Sequence, residues 1–183
     1  MKRSLLQSTK IILLILVCIT LSCQKQVEEG ITEEEAKALI DRYLEIWNGG
    51  NLALVEEIID PEYVAHDSAS PEDIVGIEGF KGWITSTRTS FPDFNVTSDE
   101  MIVKGNNILT RWTATGTNTG SLISPQGELP PTGKKFRVSG FCLSRVVNGK
   151  FKEDFNVYNV LDMMLQLGFT LTPPAPPAPP EKK

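Results

Sequence analysis

The residue types that could carry proton transfer in this sequence are widely spaced. His66 is the single histidine of the chain, and imidazole is the side chain that ordinarily changes charge near neutral pH. Glu153 and Asn159 lie in a segment near the end, KEDFNVYNVLDMMLQLG, that predicts a strand followed by a short helix. A carboxyl group in an apolar setting stores a proton near neutrality, whereas an amide only donates or accepts a hydrogen bond. We therefore take His66, Glu153 and Asn159 as candidate catalytic residues, with Asn159 as a donor to a ligand carbonyl.

Each of these three residues also has a purely structural interpretation. A lone histidine is commonly structural or exposed, Glu153 fits a solvated charge at a strand end, and Asn159 fits a hydrogen-bonded polar residue. Asp67 follows His66 directly, but neighbours in an extended chain point to opposite sides, so adjacency predicts no His–Asp pair. If the last strand is regular, one of its faces carries five residues that we expect to line any cavity. They are Glu153, Phe155, Val157, Asn159 and Leu161.

Aromatic residues supply the apolar part of a predicted binding site. Such rings pack primarily in the core, but they also suit a flat apolar ligand. The candidates are Tyr43, Trp47, Trp83 and Trp112. No metal site is predicted, because one histidine and one thiol in the folded domain give no ligand cluster. Neither a phosphate-binding loop nor a nucleophile elbow is found.

The helices and strands that must position these residues follow from the spacing of apolar residues, which has a helical period early in the chain and a strand period later. A capping box at Thr32 and Glu35 opens a first helix, a shorter helix follows Asn51, and a third covers Ile77 to Ser90. Strands are predicted over 94–104, 108–117, 135–147 and 151–160, with an Asn148-Gly149 hairpin turn and a last helical turn over 161–167. This order predicts an α+β domain in which three helices pack on a curved, four-stranded or larger antiparallel sheet and leave a cavity between.

The first 22 residues form a separate unit. Three basic residues precede IILLILVCITL, an apolar run that is short for a membrane span and suits the core of a signal peptide. Cys23 follows, and the pattern resembles a bacterial lipoprotein signal in which this cysteine is lipidated. An ordinary signal peptide or an uncleaved anchor are the alternatives. The lipoprotein interpretation places the protein at the bacterial cell envelope, on the outer membrane in a Gram-negative cell.

The predicted organisation has four parts. Residues 1–22 are the signal peptide, 23–31 the lipidated cysteine and a tether, 32–171 the folded domain, and 172–183 a Pro-rich disordered or extended tail. The formal net charge of -5 and the pI near 5.0 argue against nucleic acid as a partner.

Several short stretches, taken in order, resemble the SnoaL-like polyketide cyclase and ester cyclase family. They are YLEIWNGGN from Tyr43, EYVAHD from Glu62, GIEGFKGW from Gly76, FPDF from Phe91, RWTATGTNTG from Arg111, PPTGK from Pro130, NGKFKED from Asn148 and LQLG from Leu165. The resemblance implies the cone-shaped fold of nuclear transport factor two and chemistry without a cofactor. It also implies a buried acid that helps to form an enol and a new carbon–carbon bond.

Two motifs depart from the family pattern. The pattern E-x-W-x-x-x-D reads from Glu153 to Asn159 here, with Phe155 at the tryptophan position, and GTHTG reads GTNTG with Asn118 in place of histidine. Asn118 and Phe155 are accordingly further candidate ligand-binding residues, and His66 matches a family histidine.

Three functions remain open from the sequence. The first is a membrane-anchored lipoprotein whose cone binds a small apolar or amphipathic molecule. The second is a cyclase or isomerase in which His66, with Glu153 or a water held by Asn159, moves a proton. The third is an interaction scaffold that forms a homodimer through its sheet.

Overall fold

The computed structural model describes residues 30–124 and 127–172. The predicted signal peptide, the lipidation site Cys23 and most of the predicted tail lie outside the described residues. Within these ranges, no helix is long and apolar enough to cross a membrane.

Helix α1, Glu33–Gly49, begins and ends where the sequence predicts. The Thr32 hydroxyl accepts a hydrogen bond from the Glu35 N–H at 3.2 Å, and the Glu35 carboxylate accepts one from the Thr32 N–H at 2.9 Å. This capping box satisfies two N–H groups that the first turn leaves free. Gly50 ends the helix with a φ of 70°, in the left-handed region that favours glycine.

The second helical region is shorter than predicted. A 3-10 turn, Leu52–Leu54, leads into α2, Val55–Ile58, and strand β1, Ile59–Asp67, follows without a loop. Ile59 belongs to this strand rather than to the helix, because it pairs with Phe151. After the two-residue strand β2, Ile74–Val75, helix α3 covers Gly76–Ser90, close to the predicted bounds.

The four predicted strands are all present. They are β3, Asn95–Lys104, β4, Asn107–Thr117, β7, Lys135–Val147, and β8, Lys150–Tyr158, and helix α4, Val160–Gln166, follows the last. The hairpin turn between β7 and β8 has positive φ at Asn148 and Gly149, as its sequence predicts. Strands β5, Leu122–Ser124, and β6, Gly127–Leu129, form a small separate hairpin inside the long loop.

The main sheet has six strands in the order β2-β1-β8-β7-β4-β3. Strands β3, β4, β7 and β8 form the predicted antiparallel meander, whereas β1 pairs in parallel with β8. The α+β class, with helices packed on a curved, open sheet, is confirmed. Helices α1, α2 and α3 pack against the face that we call the concave face, where Tyr63, Ala65 and Phe151 join the core.

The prediction that Phe155 and Val157 line a cavity between the helices and the sheet is wrong. A β-bulge interrupts the β7–β8 pairing: Val146 pairs with Phe151, but Arg145 pairs with Glu153, so Lys152 is an extra residue. A bulge shifts the inside–outside alternation by one residue. Phe151 and Asp154 therefore both point to the concave face, while Phe155 and Val157 are 46% and 54% exposed on the opposite, outer face.

Candidate active site

The deepest polar group of the concave face is the carboxyl of Asp154, which is 1% exposed. The Tyr63 hydroxyl donates to its Oδ2 at 2.6 Å, and the Tyr43 hydroxyl donates to the same oxygen at 3.0 Å. Among the described residues, Oδ1 of Asp154 has no hydrogen-bond partner. One carboxyl oxygen is thus held by two hydroxyls, whereas the other meets no hydrogen-bond geometry, although the Ser144 hydroxyl lies beside the carboxyl.

Burial governs the protonation of this cluster. It raises the pKa of Asp154 above the ordinary value, and the hydroxyls of Ser144, Tyr63 and Tyr43 oppose the shift only in part. Burial together with the nearby Asp154 charge raises the pKa of both Tyr43 and Tyr63, so both phenols stay protonated and remain donors. Asp154 is therefore an acid that can hold its proton further toward neutrality than a solvated aspartate.

A second buried polar atom in the described chain, Oγ1 of Thr110, is also without a partner. Thr110 on β4 pairs with Cys142 on β7, and Cys142 pairs with Asn156 on β8. Asp154 lies one row of the sheet deeper, opposite Ser144. Buried polar groups nearly always have partners, so two such atoms on neighbouring rows of one face indicate a place for a polar ligand group.

Toward the C-terminal end of β8, three side chains form a continuous hydrogen-bonded chain. The Trp112 indole N–H donates to Oδ1 of Asn156 at 3.1 Å, and the Asn156 amide donates to Oδ2 of Asp67 at 2.5 Å. The Ala69 N–H donates to the other oxygen of Asp67 at 2.8 Å. Burial raises the pKa of Asp67 as well, although these two N–H donors favour its charged form. The concave face therefore carries two aspartates in different environments.

Gly140 is the residue that allows Trp112 to reach across the sheet. A Cβ atom at Gly140 would lie 2.4 Å from Cζ2 of Trp112 and 2.5 Å from the carbonyl oxygen of Val157. The absent side chain leaves room for the indole to cross β7, to contact Asn156, and to pack at 5.6 Å against the Tyr158 ring. Gly140, Asp154 and Asp67 were not identified as site residues from the sequence. For Gly140 a signal was available, because a glycine inside a strand often marks a close approach of another group.

His66 and Glu153 are brought together, but on the outer face. His66 Nε2 lies 3.5 Å from a Glu153 oxygen, Nδ1 lies 2.7 Å from Oδ1 of Asp73, and the ring stacks on Phe155 at 4.4 Å. Glu153 also pairs with Arg145 at 3.0 Å. These residues share the surface opposite Asp154, so their arrangement does not support a His66-based mechanism inside the cone.

The two asparagines taken from the family motifs hold backbone in place. Asn159 is exposed, and its side-chain oxygen accepts from the Asp162 N–H at 3.0 Å, which caps α4. Asn118 is fully buried, and its amide nitrogen donates to the Gly120 carbonyl at 2.7 Å. Its oxygen accepts from the Thr132 N–H and hydroxyl at 2.9 and 3.1 Å. These contacts fasten the start of the 118–134 loop to its end.

The remaining aromatic candidates belong to the helical side of the core. Trp47 is 7% exposed and meets Trp83 edge-on at 4.8 Å. Tyr43 alone among the helical candidates contacts the acid. In the described part of the chain, no group of three or more potential ligand side chains could hold a metal ion.

The comparisons with known proteins identify the family and the fold. The model of the SnoaL-like polyketide cyclase family matches residues 37–167, and the chain therefore belongs to that family. The comparison with curated proteins gave no match.

Solved structures show the same fold. TsrD from Streptomyces laurentii is similar at 23% identity and a TM-score of 0.67, covering 76% of this chain and 98% of that one. IdmH of Streptomyces antibioticus, provisionally a polyketide cyclase, is 28% identical with a TM-score of 0.62, covering 73% and 98%. A provisionally assigned cyclase of Acidithiobacillus ferrooxidans is 22% identical with a TM-score of 0.64, covering 75% and 96%. The family and fold support a ligand-binding or cyclase-type function.

Proposed function

We propose that this domain binds a small neutral carbonyl compound on its concave face and catalyses its enolisation, the step on which cyclase-type chemistry depends. The observation that carries the proposal is Asp154, whose carboxyl is 1% exposed, held by two tyrosine hydroxyls at one oxygen and without a partner in the described chain at the other. A protonated acid in such a place donates a hydrogen bond to a carbonyl oxygen.

Asp67 is the matching base. It lies beside Asn156, toward the C-terminal end of β8, and two N–H groups donate to its carboxylate. Asn156 is two residues from Asp154 along β8, a distance of about 7 Å in a strand. The proposal requires a ligand that rests on Asn156 and Trp112 to direct its carbonyl toward Asp154, which is 1% exposed, and the adjoining carbon toward Asp67.

The step balances without a cofactor. The Asp67 carboxylate takes a proton from the carbon beside the carbonyl, and the electron pair of that C–H bond forms a carbon–carbon double bond. The carbonyl oxygen takes the proton of Asp154. The products are a neutral enol, a protonated Asp67 and an ionised Asp154, and the reverse step restores the starting state. An enol formed in this way is the carbon nucleophile that a cyclisation needs.

The charge of the site supports a neutral ligand. The ionisable residues of the described concave cluster are Asp67, Asp154, the thiol Cys142 and the tyrosines. Because their raised pKa values keep Asp154, Cys142 and the tyrosines protonated, the Asp67 carboxylate is the charge that would repel an anionic ligand. The aromatic walls formed by Tyr43, Trp112 and Tyr158 suit a flat, uncharged molecule.

Deuterium exchange tests the proposal without knowledge of the natural substrate. The domain is incubated in heavy water with 2-tetralone, a neutral bicyclic ketone, and incorporation beside the carbonyl is followed by NMR. Wild type should accelerate exchange, and Asp154→Asn or Asp67→Asn should lose about 100-fold or more of that acceleration. Asp41→Asn, which removes an exposed acid of α1 paired with Lys37, is the matched control and should keep it.

Binding is measured in parallel by quenching of tryptophan fluorescence. Binding with no acceleration in wild type would contradict the enolisation step and leave a binding protein. Equal acceleration by wild type and Asp154→Asn would show that another group carries the proton.

The leader sequence supports a proposal about location. We propose that Cys23 is lipidated and that its acyl chains hold the domain on a membrane of the bacterial cell envelope. Metabolic labelling with tritiated palmitate should mark the wild-type chain and not a Cys23→Ser variant. Equal label in both would exclude this anchor.

A further inference from the structure

The segment between β1 and β2, residues 68–73, connects the concave face with the outer face. On the concave side it supports Asp67: the Ala69 N–H donates to Oδ1 of Asp67 at 2.8 Å, and the Ser70 N–H donates to the Asp67 carbonyl at 3.0 Å. The Ser68 N–H adds a bond to the Asn156 carbonyl at 3.0 Å. One of the two hydrogen bonds that position the Asp67 carboxylate therefore comes from this segment, and the other comes from Asn156 of β8.

On the outer side the same segment is fastened by His66. Nδ1 of His66 lies 2.7 Å from Oδ1 of Asp73, the last residue of the segment. The groups that face His66 are Asp73 from the segment, Glu153 from β8 at 3.5 Å, and the Phe155 ring, with Arg145 of β7 paired to Glu153. Asp67, the next residue along β1, points to the opposite face.

Packing contributes little to holding the segment. Most of its residues are exposed, and a cleft of about 270 Å³ separates it from Phe155 and Val157 on the sheet. Polar bonds must therefore supply most of its attachment. The ion pair of His66 and Asp73 is the attachment whose charge changes near neutral pH.

We propose that the His66–Asp73 pair is a pH-sensitive clasp that holds segment 68–73 and through it sets the position of Asp67. His66 and Asp73 are positioning residues on the outer face, and neither touches the ligand. The effect on Asp67 as a base rests on the proposed function, whereas the clasp itself is a property of the fold. His66 thus influences the site from the opposite side of the sheet.

The direction of the pH dependence follows from linkage. The bond to Asp73 raises the pKa of His66, partial burial opposes this shift, and the charges of Asp73 and Glu153 add to it. A histidine whose pKa is raised on folding contributes stability that is complete below its unfolded pKa and is lost as pH rises through the folded pKa. The clasp is therefore closed in mild acid and weakened in mild base.

The experiment uses the single histidine as its probe. NMR follows the His66 titration and the hydrogen-exchange protection of the Ala69 and Ser70 amides, corrected for the intrinsic pH dependence of exchange. In wild type, protection should fall by about two- to fivefold as pH rises through the His66 midpoint, the range of an exposed ion pair. In Asp73→Asn the midpoint should move down, and in His66→Gln the step in protection should vanish.

Glu72→Gln is the matched control. Glu72 belongs to the same segment, but its backbone carbonyl, rather than its carboxylate, accepts the Ser70 hydroxyl bond. It should keep the wild-type midpoint and step. The clasp would be overturned if His66→Gln kept the wild-type fall in amide protection with pH. It would also be overturned if Asp73→Asn left the titration midpoint of His66 unchanged. Neither the His66 midpoint nor the amide protection requires a ligand, so this result is independent of the 2-tetralone assay. In that assay, the clasp additionally predicts that His66→Gln removes part of the pH dependence of deuterium incorporation into the ketone.

Discussion

The carboxyl group of Asp154 is buried, and an ionised carboxylate at this position would lose nearly all of its hydration. Such a group costs stability unless it is neutralised or fully bonded, and here one oxygen has two donors while the other has none in the described chain. An apolar replacement would leave the hydroxyls of Tyr63 and Tyr43 without an acceptor, so part of the role of Asp154 is to bind these two donors. The unequal bonding of its two oxygens is what makes a chemical role the better explanation.

The raised pKa of Asp154 makes a prediction about stability. The folded state holds the proton more tightly than the unfolded state, whose pKa is near 3.8, so the contribution to stability is complete below that value. It is lost as pH rises from there to the folded pKa. The unfolding free energy of Asp154→Asn relative to wild type should therefore increase with pH across this window and then stay level.

Urea unfolding from about pH 3 to about pH 8 measures this difference. Asp41→Asn on the surface of α1 serves as the comparison, because its carboxylate is well exposed. Curves for Asp154→Asn and wild type that run parallel over the whole range would show that Asp154 ionises normally in the folded state.

Asn118 shows why a motif position does not by itself define a ligand contact. The sequence suggested a binding residue, but its amide is occupied by Gly120 on one side and Thr132 on the other. Thr132 lies 14 residues further along, so the pairing depends on how the loop folds back. A single sequence contains no signal for that return.

At the scale of the strand, Gly140 is the most sensitive position of the sheet. An alanine methyl group would overlap both the Trp112 ring and the Val157 carbonyl. Gly140→Ala should therefore displace the indole, break its bond to Asn156 and cost about 1–3 kcal/mol of stability. Chemical unfolding gives the free energy, and the tryptophan emission maximum reports the displacement.

Gly82 provides the control for this substitution. It lies on the exposed face of α3, and a Cβ there would meet no atom within 4 Å. Gly82→Ala should stabilise the domain by up to about 1 kcal/mol, the helix-propensity difference. If Gly140→Ala behaved like Gly82→Ala, the crossing of β7 by Trp112 would be refuted.

Local sequence patterns predicted most of the helices and strands. The features that they did not predict depend on which strands pair in the sheet. The capping box, the Asn148-Gly149 turn and the bounds of β7 depend on neighbours in sequence, and each was found as predicted. The bulge at Lys152 and the parallel β1–β8 pair depend on the partner strand. Because the bulge reverses the alternation of β8 after Phe151, the sequence pattern placed Glu153 rather than Asp154 toward the cavity, although the strand itself was correct.

For the whole molecule, the outer face of the sheet makes a prediction about assembly. Phe141, Leu143, Phe155 and Val157 are 42–54% exposed and adjoin one another on β7 and β8. The ion pairs Arg145–Glu153 and Arg111–Glu100 border this patch. They supply both positive and negative charge, which a surface needs in order to pair with a two-fold related copy of itself. We expect a homodimer through this face, in which Phe155→Lys shifts the equilibrium to monomer.

Sedimentation over a concentration series measures this shift. Ile123→Lys adds the same charge at a 73% exposed apolar residue of β5, away from the patch, and should leave the dimer intact. A wild-type chain that remains monomeric at high concentration would exclude the dimer and leave the patch to another partner.

The parallel pairing of β1 with β8 also determines when the acid centre can exist. Tyr63 and Asp154 are 91 residues apart, and β8 is the last strand of the sheet to leave the ribosome. Until it arrives, β1 has neither its inner neighbour nor the carboxyl that its tyrosine binds. Contacts over such separations form late because closing the intervening chain is entropically costly. The hydroxyl–carboxyl bond therefore reports that β8 has been made and paired, and a chain cut short before β8 would carry α1 to α3, Tyr43 and Trp112 but neither Tyr158 nor Asp154.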